Sequence, residues 1–170
     1  MSFDVPVELI RGEVVEITNP SGRHGKVCSN LCFHLEAWAE PQAEFEVFTN
    51  DAGVLLELNP DTVRGPDLMI YHQSKPPQGE IPTGHFKTVP NVAIEVVSPS
   101  DRVPEILFKV SLFLRAGVGE VWVIYPDRRH VRIYKADDEP TILDVNQQLT
   151  SGLLPGFSCT VSDLFRGLAS

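Results

Sequence analysis

NVAIEVVSPSDRVPEILFKVSLFLRAGVGEVWVIYPD, residues Asn91 to Asp127, reads as a buried strand, a polar turn, a helix and a second buried strand. Val92 to Val97 has the length and β-branched content of a strand covered on both faces. Glu95 interrupts it. A carboxylate in such a run is costly unless a cation, a metal or a hydrogen-bond network receives it. Lys109 follows Ile106, Leu107 and Phe108 and precedes Val110, Leu112 and Phe113, so it lies within or beside the apolar face of the helix. A helix starting near Asp101 and folded back on its own strand carries the lysine stem toward that strand's C-terminal end.

A third charged position lies upstream, where Gly65-Pro66-Asp67 opens the apolar run Leu68 to Tyr71. The proline confines that end to a strand edge, start or bulge. Asp67, Glu95 and Lys109 together have the pattern of a nuclease metal site. Two carboxylates from neighbouring strands can hold a hard divalent cation, and a nearby ammonium can orient water or offset charge building on a phosphate. The competing reading is that Glu95 and Lys109 form a buried ion pair and nothing more.

The 170 residues, 42% hydrophobic, suit one domain spanning residues 1–170. No apolar run reaches membrane-spanning length, and MSFDVPVELIRGE lacks the layout of a signal peptide, so the expectation is a cytoplasmic protein without a membrane partner. Three cysteines, Cys28, Cys32 and Cys159, argue against a disulfide framework. Cys28 and Cys32 sit one helical turn apart and could ligate metal, but without a second pair they read as buried small hydrophobes. The net charge of −9 runs against a general basic footprint for nucleic acid. Local cations, among them Arg64, Arg102, Arg128 and Arg132, can still gather on one face.

Elsewhere, short strands flank Arg11-Gly12, with Glu13 just past the turn. By pattern Glu13 is an exposed strand carboxylate. A helix over His24 to Glu40 follows, with Asn19 or Ser21 as cap and Pro41 beyond its end. His24 falls in its first turn, where surface placement and an anion contact are both open. Glu44 to Thr49 and Val54 to Leu58 flank Asn50-Asp51-Ala52-Gly53 as a hairpin. The Pro- and Gly-rich loop from His72 to Pro90 is placed to border a substrate cleft. Gly117 closes the second helix, Glu120 to Tyr125 and His130 to Tyr134 form a hairpin, and Thr141 to Val145 reads as an edge strand.

The ordered set Arg11-Gly12-Glu13, His24-Gly25, Gly65-Pro66-Asp67, Ile94 to Asp101, Lys109, Ala116-Gly117-Val118 and Val121 to Ile124 resembles the Uma-two family of the restriction-endonuclease-like PD-(D/E)XK superfamily. The resemblance runs from about Val7 to Phe165. It implies an α/β (α+β) fold: a mixed central sheet with flanking helices and added N-terminal and C-terminal β-hairpins. It also implies a divalent-metal phosphodiesterase site, with Asp67 and Glu95 as the acids and Lys109 as the lysine moved onto the following helix. In the superfamily pattern the lysine stands two residues after the acid, where this chain has Val97. Glu13 and His24 match family positions and join the candidates.

The expectation is therefore a metal-dependent endonuclease acting on nucleic acid, DNA in the first instance. Asp67 and Glu95, with Glu13 or the Val96 carbonyl, would hold Mg2+ or Mn2+. Lys109 would act on the attacking water, and His24, Arg64 and Arg102 would contact substrate. The alternative is a nuclease-like fold serving as a silent binding or scaffold module, acting as a homo-oligomer. A glycosidase is a weaker third reading, since two tryptophans and three tyrosines furnish few sugar-stacking surfaces.

Overall fold

The computed structural model describes residues 7–17, 19–75 and 81–169. Its centre is a six-stranded mixed sheet in the order β10-β9-β8-β7-β6-β3. The strands are β3 (Phe45–Thr49), β6 (Leu68–His72), β7 (Val92–Val96), β8 (Glu120–Tyr125), β9 (His130–Tyr134) and β10 (Thr141–Leu143). Only β7 and β8 run parallel, because the helix α2 (Val103–Ala116) crosses between them; the other neighbours are antiparallel. This is the mixed sheet with flanking helices that the family resemblance implies.

Strand alternation sends side chains to two cores. Leu68, Ile70, Ile94, Val96, Trp122 and Ile124 face α1 (Gly22–Ala39), where Val27, Leu31 and Leu35 are fully buried. Met69, Tyr71, Ala93, Val121 and Val123 face α2, packing with Val110, Leu112 and Phe113. Glu95 has the parity of Ala93, so it emerges on the α2 side, toward Lys109. Gly117 ends α2 in the left-handed conformation, at φ 100°, and the N–H groups of Gly117 and Val118 bond back to the Phe113 carbonyl.

A second sheet has the order β2-β1-β5-β4, from β1 (Val7–Ile10), β2 (Glu13–Glu16), β4 (Val54–Glu57) and β5 (Thr62–Arg64). The expected hairpin at Arg11-Gly12 is present, with both residues at positive φ. A C-terminal two-stranded sheet, β11 (Gln148–Thr150) with β12 (Ser158–Thr160), leads into the short helix α3 (Val161–Leu164).

Two expectations are corrected. β3 and β4 do not form a hairpin. The chain turns at Asn50 and Asp51, both at positive φ, and leaves the large sheet for the small one, where β4 pairs with β5. The same residues suit either outcome, because turn chemistry specifies a reversal and not the partner that follows it. The loop after His72 does not line the cleft described below in its described residues; residues 76–80 lie outside them. Phe86 instead exchanges backbone hydrogen bonds with Gly53 and Leu55 and packs between Phe48 and Tyr71.

Candidate functional site

The register of β6 on β7 pairs Leu68 with Ile94. One step further places Asp67 opposite Glu95. Pro66 has no N–H to extend the ladder, and the Asp67 carboxylate takes up the slack: its Oδ2 accepts from the Val96 N–H at 2.6 Å. Val96 therefore meets the site through its N–H. From the opposite side of the sheet, His24 Nε2 lies 3.0 Å from Asp67 Oδ1. The helix holds His24 there because Ser21 caps α1, accepting from the His24 N–H at 3.3 Å. Burial alone would lower the imidazole pKa, but the hydrogen bond and charge of Asp67, joined by Asp51 and Asp101, raise it.

Lys109 reaches Glu95 across the α2 face, with Nζ 2.8 Å from Oε2. It also donates to the Gly65 carbonyl at 3.2 Å and stands 3.7 Å from Glu8 Oε1. Burial works against the ammonium, yet Glu95 and Glu8 raise its pKa overall. Glu95 moves in the unusual direction for a carboxylate. Burial, reinforced by Asp67 and Glu8 and opposed by Lys109, pushes it up to about 8. Its second oxygen, Oε1, is buried with no hydrogen-bond partner among the described residues.

Glu8 was not anticipated. β1 pairs with β5, and Glu8 Oε2 receives Arg64 Nη2 at 2.6 Å and Nε at 3.0 Å, while the Gly65 N–H reaches Oε1 at 3.3 Å. Arg64 thus lines the cleft with two of its donors already engaged. Asp51 was not anticipated either. It enters from the turn after β3, and burial followed by the charge of Asp67 pushes its carboxyl up to about 6. Gly65 makes that approach possible, since a Cβ there would stand 2.1 Å from the Asp51 carbonyl oxygen.

Glu8, His24, Asp51, Arg64, Asp67, Glu95, Val96 and Lys109 share one cleft of about 650 Å³. Glu13 does not. It is exposed on β2, paired with Ile10 at the turn, and lies outside the lining. Period-two alternation allows either glutamate of the hairpin to face inward, and the β1–β5 pairing selects Glu8. Arg102 is exposed at the N-cap of α2 and also stands outside the lining. Cys28, one turn along α1 from His24, has its Sγ 3.6 Å from His24 Nδ1. Burial and the carboxylates of Asp67, Asp51 and Glu95 push its thiol pKa up.

The orphaned Glu95 oxygen bears on whether a cation fits. A buried carboxylate oxygen without a donor needs another electropositive partner, and a hard divalent ion bound through oxygen is one. Asp67 faces Glu95 across the register, so these donors suit such an ion.

The fold is of the restriction-endonuclease-like class. It is similar, at a TM-score of 0.83, to the crystal structure of "a putative nuclease belonging to DUF820" from Anabaena variabilis, with 20% sequence identity over 97% of this chain and 92% of that one. The model of the Uma2 family, described as "Putative restriction endonuclease", matches residues 3–162, and the chain belongs to that family. No curated protein matches the chain. Among the described residues, no helix is long and apolar enough to cross a membrane.

Proposed function

We propose that the protein is a divalent-metal-dependent nuclease that hydrolyses phosphodiester bonds in the cleft between β7, α2 and the small sheet. The observation that carries this reading is the opposition of Asp67 and Glu95 at the ends of neighbouring strands, with Lys109 2.8 Å from Glu95 and Glu95 Oε1 buried without a donor among the described residues. Asp67 and Glu95 would hold Mg2+ or Mn2+, and the Val96 N–H, which donates to Asp67 Oδ2, orients that carboxylate in place of the expected carbonyl ligand. Such an ion, when bound, supplies Lewis-acid polarisation of the phosphodiester and neutralises its charge.

The remaining residues have roles set by their positions. Lys109 is anchored at the Gly65 carbonyl and at Glu8, so its ammonium is preorganised beside the acids, where charge develops on the phosphoryl oxygens. It can orient the attacking water or stabilise that charge. His24 holds Asp67 in place and sets its imidazole at the cleft wall. Arg64 positions Glu8, which in turn restrains Lys109. DNA is the first substrate to test.

The silent-scaffold reading draws on one observation: Lys109 already pairs with Glu95 Oε2 and Glu8 Oε1 in a buried charge network. The two separate in a cleavage assay on plasmid and single-stranded substrates with Mg2+ or Mn2+, comparing the parent with Asp67→Asn. Metal-dependent cleavage lost in the variant is the expected result. No cleavage of any substrate, with no thermal stabilisation by either metal, would leave the scaffold reading standing.

A further inference from the structure

We infer that the same cleft carries a second, chemically distinct metal site, in which His24, Cys28 and Asp67 bind a transition-metal ion of the Zn2+ type, and that this ion displaces the hard divalent ion by taking Asp67. One ligand atom from each of these residues lies within 4.8 Å of the other two. His24 and Cys28 are four residues apart on α1, which puts both side chains on the same helical face, and Asp67 meets that face from the start of β6.

The donor set discriminates between metals. Mg2+ takes oxygen ligands at octahedral geometry and has little use for a thiol. Zn2+ takes sulfur, imidazole nitrogen and carboxylate oxygen in a tetrahedron whose edges are about 3.3 to 3.8 Å, from bonds of roughly 2.0 to 2.3 Å. His24 meets Asp67 through Nε2 at 3.0 Å and Cys28 through Nδ1 at 3.6 Å, so the ion takes one ring nitrogen and the side chain on the other edge of the ring swings to it. A contraction of about an ångström at the widest pair closes the set round one ion, leaving the fourth position open to the cleft. Binding releases the Cys28 thiol proton to solvent.

Asp67 is common to both sets. In the hard site it faces Glu95 across the strand register; in the soft site it faces His24 and Cys28 across the helix. Its carboxylate cannot serve both with full charge, so Zn2+ acts as an inhibitor of the metal-dependent activity. That second half rests on the hard site proposed above. The first half does not.

The test uses Co2+ as a spectroscopic stand-in for Zn2+ in the full-length protein, with Cys32→Ser as control, since Cys32 lies one turn further along α1. A near-ultraviolet thiolate-to-cobalt band, discharged by Zn2+, is expected in the parent and in Cys32→Ser. It should be absent in Cys28→Ser, with Zn2+ affinity down about tenfold or more. Cys28→Ala, checked by circular dichroism, serves if the serine variant does not fold. No band in the parent, or a band kept in the Cys28 variants, overturns the site. Competition is read by thermal shift: stoichiometric Zn2+ should abolish the further stabilisation by Mg2+ in the parent and not in Cys28→Ser. An additive Mg2+ response in zinc-loaded parent overturns the competition while leaving the soft site. Absence of any Mg2+ response in zinc-free protein rejects the hard site, and with it the competition, without touching the cobalt result.

Discussion

Glu95 and Lys109 sit at the residue scale where folding and chemistry make opposite demands. Their side chains are 13% and 18% exposed, so removing one charge leaves the other poorly solvated. Lys109→Met keeps the apolar stem but strands Glu95 and Glu8. Above about pH 8, where Glu95 is ionised, the metal-free variant should lose about 3 kcal/mol. Saturating Mn2+ should restore part of that loss, because the ion replaces the missing positive charge. Cleavage should remain on the order of a hundredfold down, as for loss of a preorganised charge stabiliser. Denaturant unfolding with and without Mn2+, beside the cleavage assay, checks both parts; unchanged cleavage removes the role assigned to Lys109. Glu95→Gln should lose the Mn2+-dependent thermal shift and gain metal-free stability at high pH. The sign follows from its raised pKa. Between about 4.5 and about 8 the folded protein keeps a proton that the unfolded chain has released, so stability present at low pH is lost as pH rises through that window. Asp51 and His24 are also raised and act with the same sign. The parent-minus-variant difference in melting temperature across the window therefore isolates Glu95, and a constant difference would refute its assignment.

At the scale of elements, the site depends on the close passage of the β3–β4 turn over Gly65. The Cβ of an alanine there would lie 2.1 Å from the carbonyl oxygen, 2.4 Å from the carbonyl carbon and 2.7 Å from the Cα of Asp51. All of these are backbone atoms, so no rotamer change relieves the clash. Gly65→Ala should cost about 3 kcal/mol or more, as a shift of two packed segments does, and should weaken the Mn2+ response by moving Asp51 and the Gly65 carbonyl that holds Lys109. Gly25→Ala makes an informative control. It lies within α1 with nothing within 4 Å of the added Cβ, so gained helix propensity should stabilise by up to about 1 kcal/mol. Chemical denaturation of the two variants should give opposite signs; a neutral Gly65→Ala would show that the turn is free to move.

At the scale of the whole molecule, the charge of −9 and the pairing of the cleft cations set how substrate is held. Lys109 is engaged with Glu95, and Arg64 with Glu8, so neither offers a bare cation to a phosphate. Without divalent metal, binding to a phosphorothioate oligonucleotide should be no tighter than the roughly 10⁻⁴ to 10⁻⁶ M of ordinary non-specific association, with a salt slope corresponding to only about one or two phosphates. Mn2+ should tighten it, since bound cations cancel the acids of the cleft. Fluorescence anisotropy across a salt series measures both quantities. Tight, strongly salt-dependent binding in the absence of metal would point to a basic surface elsewhere on the protein.

The strongest signals in the chain were local conflicts between a residue and its neighbours. Glu95 in a run of β-branched residues, Lys109 among helical apolar positions and Asp67 behind a proline are each anomalous within a window of a few residues, because burying an unpaired charge is costly wherever the strand or helix goes. Ser21 as a cap of α1, Gly117 at the end of α2, the strand–helix–strand order from Val92 to Tyr125 and the facing of Lys109 toward β7 follow from the same short-range reasoning, while the mixed sheet came from the family resemblance. Glu8 and Asp51 carry no such mark. Glu8 lies in a strand whose alternation suits Glu13 equally well, and Asp51 occupies a turn where aspartate is ordinary. Their place in the cleft was decided by long-range pairing: β5 joined β1 and β4, and the chain after β3 changed sheets over the bare Cα of Gly65. Cys28 likewise reads as a small buried hydrophobe until α1 docks against the start of β6. Periodicity states which face of a segment is buried; only the partner that covers that face, chosen by the packing of the whole chain, states which charges meet there.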